Sequence, residues 1–265
     1  MNAEAWEVPA FETSLWRGRA LDYCTVIPVI NEGARIRNLL ARMAAADVAL
    51  HADLIVMDGG STDGSIDLAA FSALGVRGVL VKTGAGRLGA QLRCAYAFAL
   101  RAGYAGIVTI DGNDKDDPRA IPDFVAALRN GAGMVQGSRF VPGGAGENTP
   151  WLRELAIRGV HAPLLRLASG FPWTDTTQGF RGYAAALLRD PRVAPFRQVF
   201  TEYELLAYLS YRAPRLGYRC CELPTRRVYP ARGPLPSKIR PGGYARLFAT
   251  LLRACAGRFD PPGAA

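Results

Sequence analysis

No stretch of this 265-residue chain stays apolar for the roughly 20 residues that a membrane-spanning helix requires, so none of its helices is expected to cross a bilayer. Cysteine is scarce and poorly spaced for chemistry. Five residues, an odd number without a C-x-x-C pair, argue against a disulfide framework or a zinc site. Cys24, Cys94 and Cys255 fall in apolar periodic segments and Cys220-Cys221 in an expected strand, which points to buried thiols in a reducing compartment. Residues 1–21 carry acids and tryptophans and lack the basic-then-apolar order of a secretion signal, so a cytoplasmic location is expected. Aromatics make up 9% and form no stripe with basic residues, which leaves nucleic-acid binding supported by charge alone. No internal repeat or low-complexity tract is present.

With 49% hydrophobic and 21% charged residues, the chain is globular. Its net charge of +9 is unevenly placed. Residues 1–150 hold 14 Lys and Arg against 16 Asp and Glu, whereas residues 151–265 hold 18 against 7. The basic second half suits an anionic partner: phosphate, a membrane surface or nucleic acid. A merely solubilising surface is the alternative.

The stretch from Ile107 to Pro118 carries most of the chemistry. A β-branched run, 107–110, ends in Asp111, Asn113, Asp114, Asp116 and Asp117, and Pro118 opens the next helical pattern. Open α/β sheets place ligands at the C-terminal ends of their strands. Hard oxygen donors there suit Mg²⁺ or Mn²⁺, which neutralise phosphates. Without those neighbours the same run would read as a solvated turn capping the following helix.

Around it, strands are predicted over 23–28, 53–57, 78–82, 107–110 and 134–137, alternating with helices over 34–46, 65–74 and 90–100. Ser61 or Thr62 is expected to cap the second helix. This alternation predicts an α/β fold with a mostly parallel central sheet and helices on both faces. Gly84-Ala-Gly-Arg-Leu-Gly89 matches the dinucleotide fingerprint, and Asp111 follows Gly89 by 22 residues. That fingerprint normally opens the first βα unit, however, and here two complete units come before it. The glycines are instead expected to form a backbone loop beside a nucleoside diphosphate, near Lys82 or Arg87. Residues 142–150 form a glycine-rich loop, expected to be a mobile lid. Helices are predicted over 151–168, 201–216 and 244–259, with a last strand over 219–224. Residues 226–238 are basic and proline-rich, a poor helix or strand.

Ile27-Pro-Val-Ile-Asn-Glu32, Asp58-Gly-Gly-Ser-Thr-Asp-Gly64, Asp111-Gly-Asn113, Gly137-Ser-Arg-Phe140 and Asp175-Thr-Thr-Gln-Gly-Phe-Arg181 occur in the order found in family 2 glycosyltransferases. Over about residues 23–240 the chain resembles the branch of dolichol- and polyprenyl-phosphate mannose synthases. The resemblance implies a GT-A fold over 23–240, with a nucleotide-sugar half (23–138) and an acceptor half (139–240). It leaves an extension at 1–22 and an amphipathic tail at 241–265. It also implies inverting transfer of a single sugar from a UDP- or GDP-linked donor to a lipid-phosphate or lipid-linked saccharide acceptor, in cell-surface glycan synthesis. The Gln-x-x-Arg-Trp motif and transmembrane helices of the processive members are missing, which fits single-sugar transfer.

Carried over by position, Pro28, Val29, Asn31, Glu32 and Asp58 would hold the donor base and ribose, beside Lys82 and Arg87. Asp111 and Asn113 stand where the family has its Asp-x-Asp metal motif, with Asn113 in place of the second carboxylate and Asp114 as a further donor. Arg139 matches a basic residue near the reacting phosphates. Asp175 and Arg181 match a second half-site, and Glu204 or Asp116 is an alternative base if the acceptor is a hydroxyl. The basic half and the tail helix fit peripheral binding at the inner membrane face. A sugar-phosphate nucleotidyltransferase shares the fold plan and acidic loop, but its glycine-rich basic loop after the first strand is replaced here by Pro28-Val-Ile-Asn-Glu32.

Overall fold

The computed structural model describes residues 6–230 and 243–263. In chain order the first half runs β1 (Phe11–Trp16), β2 (Tyr23–Val29), α1 (Ala34–Ala45), β3 (Asp53–Asp58), α2 (Leu68–Ala73), β4 (Val76–Lys82), α3 (Leu88–Arg101), β5 (Gly106–Thr109), α4 (Ile121–Arg129) and β6 (Met134–Ser138). The second runs β7 (Ala145–Glu147), α5 (Trp151–Ala156), α6 (Ala162–Ser169), β8 (Arg181–Ala184), α7 (Ala185–Arg189), α8 (Glu204–Arg215), β9 (Cys220–Pro224), β10 (Arg226–Val228) and α9 (Gly243–Cys255). Eight strands form one sheet in the order β1-β4-β3-β2-β5-β8-β6-β9. Its centre, β4-β3-β2-β5, is parallel, while β1 and β8 run antiparallel to their neighbours.

Period-2 alternation explains why the central strands are apolar at almost every position. Val26, Ile55, Met57, Leu80 and Ile107 pack into one core with α3, α8 and α9. Ile27, Val56, Val79 and Val108 pack into the other with α1, α2 and α4. The chain leaves β2 to build β3 and β4 on one side, then returns to place β5 on the other. A crevice opens at such a reversal, at the C-terminal ends of β2, β3 and β5.

Several boundaries differ from the sequence expectation. Residues 11–16 of the expected extension join the sheet: β1 pairs with β4, and Trp6 stacks on Phe196 at 4.1 Å. Helix α2 starts at Leu68, capped by the Asp67 carboxylate rather than by Ser61 or Thr62. Arg181 begins an unpredicted strand, too short and polar to show periodicity. The glycine-rich loop expected as a lid is paired, because β7 runs parallel to β10. The helix at 151–169 is broken by a wide π turn, Ile157–His161. Leu251, Ala254 and Phe259 join the core around α8, so the described part of the tail packs on the domain. The proline-rich reading of 226–238 holds a short strand at its start and otherwise lies largely outside the described residues. Among those residues no helix is long and apolar enough to cross a membrane.

Candidate active site

A cavity of about 610 Å³ lies at the strand reversal. That is ordinary for a small-molecule site. Three strand tips build its floor and are stitched together by backbone. Gly59 N donates to Val29 O at 2.7 Å, and Gly112 N donates to Pro28 O at 3.2 Å. Gln91 of α3 donates its side-chain amide to Val29 O and Met57 O, which fixes the helix against both tips. Asn31, with φ of 48°, donates its N–H to Ser61 Oγ and accepts Thr62 N–H on Oδ1 at 2.8 Å. Ser65 Oγ accepts from Glu32 N and Gly33 N. The Asp-Gly-Gly-Ser-Thr motif is thus mainly a clamp that holds the β2 tip in shape. Pro28, Val29, Asn31, Glu32, Lys82 and Arg87 all line the cavity.

Facing that floor is the loop after β5, and its partner comes from far along the chain. Val228 N donates to Lys115 O at 2.8 Å and Asp117 N donates to Arg226 O at 3.0 Å, so β10 runs antiparallel beside residues 115–117. In β10 the exposed Arg226 and Val228 flank the buried Arg227. Arg227 ion-pairs with Asp116 at 2.5 Å and brings Nη2 to 3.5 Å from Asp111 Oδ2. Burial would lower the Arg227 guanidinium, but Asp116 and Asp111 outweigh it and raise it above its usual range. Lys115 lies beside them; burial, then the Arg227 charge, pull its ammonium down to about 8. Five cationic side chains (Lys82, Arg87, Lys115, Arg153 and Arg227) line the cavity against two carboxylates, Glu32 and Asp111.

Other residues singled out in the sequence lie behind this surface. Both Asp58 oxygens are occupied by its own turn, taking Gly60 N, Ser61 N and Ser61 Oγ. Asp114, with φ of 59°, faces Arg42 of α1 at 2.8 Å and does not line the cavity. Arg139, expected near the reacting phosphates, pairs with Asp175 at 2.7 Å; the two side chains are 1% and 0% exposed. Arg181 donates to Gln178 O, Thr176 O, Leu206 O and Ser210 Oγ. Glu204 accepts from Glu202 N at the start of α8. Arg139, Asp175 and Arg181 are buried among protein partners, Glu204 is half-buried, and none of the four lines the cavity. From the motif 175–181, the uncharged Thr177 and Gly179 reach the cavity.

Glycines mark close approach. A Cβ on Gly179 would overlap Asp111 Oδ1, so Asp111 can lie flat against this backbone only if no side chain is there. In the fingerprint-like loop, a Cβ on Gly89 would meet Phe200 O and Glu202 O at 2.8 Å. That glycine packs against the chain itself, and of the loop only Arg87 and Leu88 line the cavity.

Known proteins match this chain over most of its length. The model of Glycosyl transferase family 2 matches residues 24–191. Undecaprenyl-phosphate mannosyltransferase of Micrococcus luteus is 31% identical over 202 residues, covering 76% of this chain and 81% of that protein.

The chain belongs to glycosyl transferase family 2.

It is therefore a glycosyltransferase. Polyprenol monophosphomannose synthase of Mycolicibacterium smegmatis is 29% identical over 202 residues, 75% of this chain and 74% of that protein. Among solved structures, glucosyl-3-phosphoglycerate synthase from Mycobacterium tuberculosis with Mn²⁺, UDP and phosphoglyceric acid has a TM-score of 0.60 at 21% identity. The match covers 91% of this chain and 80% of that one. The GT-A fold is shown, and divalent metal use occurs within it.

The residues of this glycosyltransferase do not fit such a metal well. Asp111 is the one carboxylate the acidic loop turns to the cavity. Asn113 points its Nδ2 at Asp111 Oδ2, 3.4 Å away, while its Oδ1 accepts Lys115 N–H at 3.3 Å. Among the described residues no group of three His, Cys, Asp or Glu side chains forms a metal site. A divalent ion at Asp111 would also meet Arg227, and like charges at that range repel.

Sequence reasoning missed Arg227, Lys115, Arg153 and Gln91. Lys115 had a signal, as the lone cation in an acidic run. Arg227 had none, since its register against residue 116 depends on a pairing 111 residues apart.

Proposed function

We propose that this glycosyltransferase moves one sugar from a nucleoside diphosphate sugar to a lipid phosphate at a membrane face. The observation that carries the reading is the set of five cationic side chains lining the cavity beside a floor built from the β2 and β3 tips. Arg87 and Arg227 also pair outside the lining, with Glu202 and Asp116, which leaves Lys82, Lys115 and Arg153 facing Glu32 and Asp111. Such a site holds a diphosphate and stabilises it as it leaves. In the step, an acceptor phosphate oxygen forms a bond to the anomeric carbon on the face opposite the donor diphosphate. The carbon–oxygen bond to that diphosphate breaks, and the nucleoside diphosphate departs with the electron pair. An ionised phosphate needs no general base, which suits a cavity whose two carboxylates already face arginines: Glu32 pairs with Arg35 at 2.7 Å and Asp111 faces Arg227.

Helix α5 supports the lipid. Trp151, Leu152 and Leu155 on it are 70%, 61% and 60% exposed, and Arg153 of the same helix lines the cavity. One helix thus presents an apolar face to a bilayer and a cation to a phosphate head. The named acceptors of the Micrococcus and Mycolicibacterium relatives, polyprenyl phosphates, fit this reading. The membrane surface meant is the one facing the nucleotide-sugar pool, and α5 replaces the tail helix as its principal contact.

The test is transfer of labelled sugar from a panel of UDP- and GDP-sugars into vesicles carrying either polyprenyl phosphate or the uncharged polyprenol. Label extracted with the lipid from the phosphate vesicles alone is the expected result. Equal label from both, or label from neither with any donor, contradicts it.

A further inference from the structure

The cations that would accompany the leaving diphosphate need not come from solution. We propose that Lys115 and Arg227 take the place of a divalent metal in this chain, so that it binds and releases its nucleoside diphosphate without one. The inference rests on the glycosyltransferase reading and concerns the same cavity.

Three observations carry it. First, the acidic loop presents a single carboxylate to the cavity, and its neighbour Asn113 aims an amide N–H at that carboxylate in place of an oxygen lone pair. Second, both positive side chains line the cavity with Asp111, and together they match the charge of a divalent ion. Third, Arg227 is held there by the protein before any ligand arrives. Its strand is laddered to residues 115–117, its side chain is 5% exposed, and Asp116 fixes one end of the guanidinium while the other turns to Asp111. A cation already fixed in a low-dielectric wall stabilises developing negative charge without reorganising. A guanidinium keeps its charge at any working pH and carries five N–H donors, more than its two aspartate partners occupy.

Asp111 then has a positioning task. Its carboxylate faces Arg227 and, by packing flat on Gly179, keeps the cation end of the cavity in register with the strand tips.

The experiment is calorimetric titration of the full chain with UDP, GDP, CDP and dTDP, once in EDTA and once in Mn²⁺. At least one diphosphate should bind with the same Kd, within about twofold, in both buffers. Lys115→Gln, at a residue that borders the cavity, should weaken that Kd in EDTA by about tenfold. The double variant Asn113→Asp with Lys115→Gln adds a carboxylate and removes a cation, so its binding should recover only when Mn²⁺ is present. Melting temperatures of the variants without ligand verify that each is folded. Wild-type binding that needs Mn²⁺ by tenfold or more overturns the proposal and leaves the glycosyltransferase reading intact, as does a Lys115→Gln variant that binds normally in EDTA. Binding of no diphosphate in either buffer overturns both.

Discussion

Two buried arginine–aspartate pairs join distant parts of this chain, and they do different work. Arg139 with Asp175 links the end of β6 to the loop before β8; Arg227 with Asp116 links β10 to the loop after β5. Burial and pairing are nearly the same in both. In the first, the Asp175 oxygens take Arg139 together with the Gln178 amide and the Thr177 hydroxyl, and both side chains are sealed. The second has an opening: Arg227 lines the cavity and faces Asp111. A motif match ranks the first pair higher, since Arg139 and Asp175 lie in family-like motifs. Geometry ranks the second higher. Charge and burial alone do not mark a working residue; access to the ligand does.

The sharpest way to break this comparison is Arg139→Met. It leaves the Asp175 carboxylate buried without its partner, and a loss of about 3–5 kcal/mol in unfolding free energy is expected by denaturant titration. Diphosphate affinity of the folded fraction should change little. Normal stability with collapsed transfer would return Arg139 to the reacting phosphates. Next in size is Asp111→Asn, for which transfer should fall about a hundredfold while the melting temperature is nearly kept. An inactive variant that is also unfolded would make Asp111 a structural cap.

A third effect concerns the support side. His161, in the π turn, shares a 2.6 Å hydrogen bond with Thr176, and burial, helped by the Arg181 charge, pulls its imidazole down to about 4. A folded value below the unfolded one of about 6.5 means that the unfolded chain takes up the proton first. Stability from this group is full above pH 6.5 and is lost as pH falls through 4, on the order of 3 kcal/mol. His161→Gln should flatten that part of the stability profile, and an unchanged slope would remove His161 from the support. The smallest effect is Gly179→Ala. The added methyl displaces Asp111, and transfer should drop at least about tenfold with little change in melting. Full activity would show that the flat packing is dispensable.

Much of the fold was legible because β-branched runs and helical periodicity are local signals. The parallel order followed from βα alternation, and the strand-tip residues Pro28, Val29, Asn31, Glu32 and Asp111 lie within a few positions of the runs that deliver them. What was not legible depends on pairing across the chain. Residues 181–184 form a strand because β5 and β6 leave a gap between them, and no periodicity of their own announces it. Arg227 becomes a site residue only once β10 finds residues 115–117. The family resemblance points to the charged ends of the motif 175–181, yet Thr177 and Gly179 reach the cavity because the loop turns its charges inward.

The most direct measurement is a crystal structure of the full chain with its nucleoside diphosphate bound. The diphosphate should lie against Arg227 and Lys115, with the nucleoside between the tips of β2 and β3. A diphosphate cradled by the 84–89 glycine loop, or one that contacts Arg139 and leaves Arg227 untouched, would contradict the assignment.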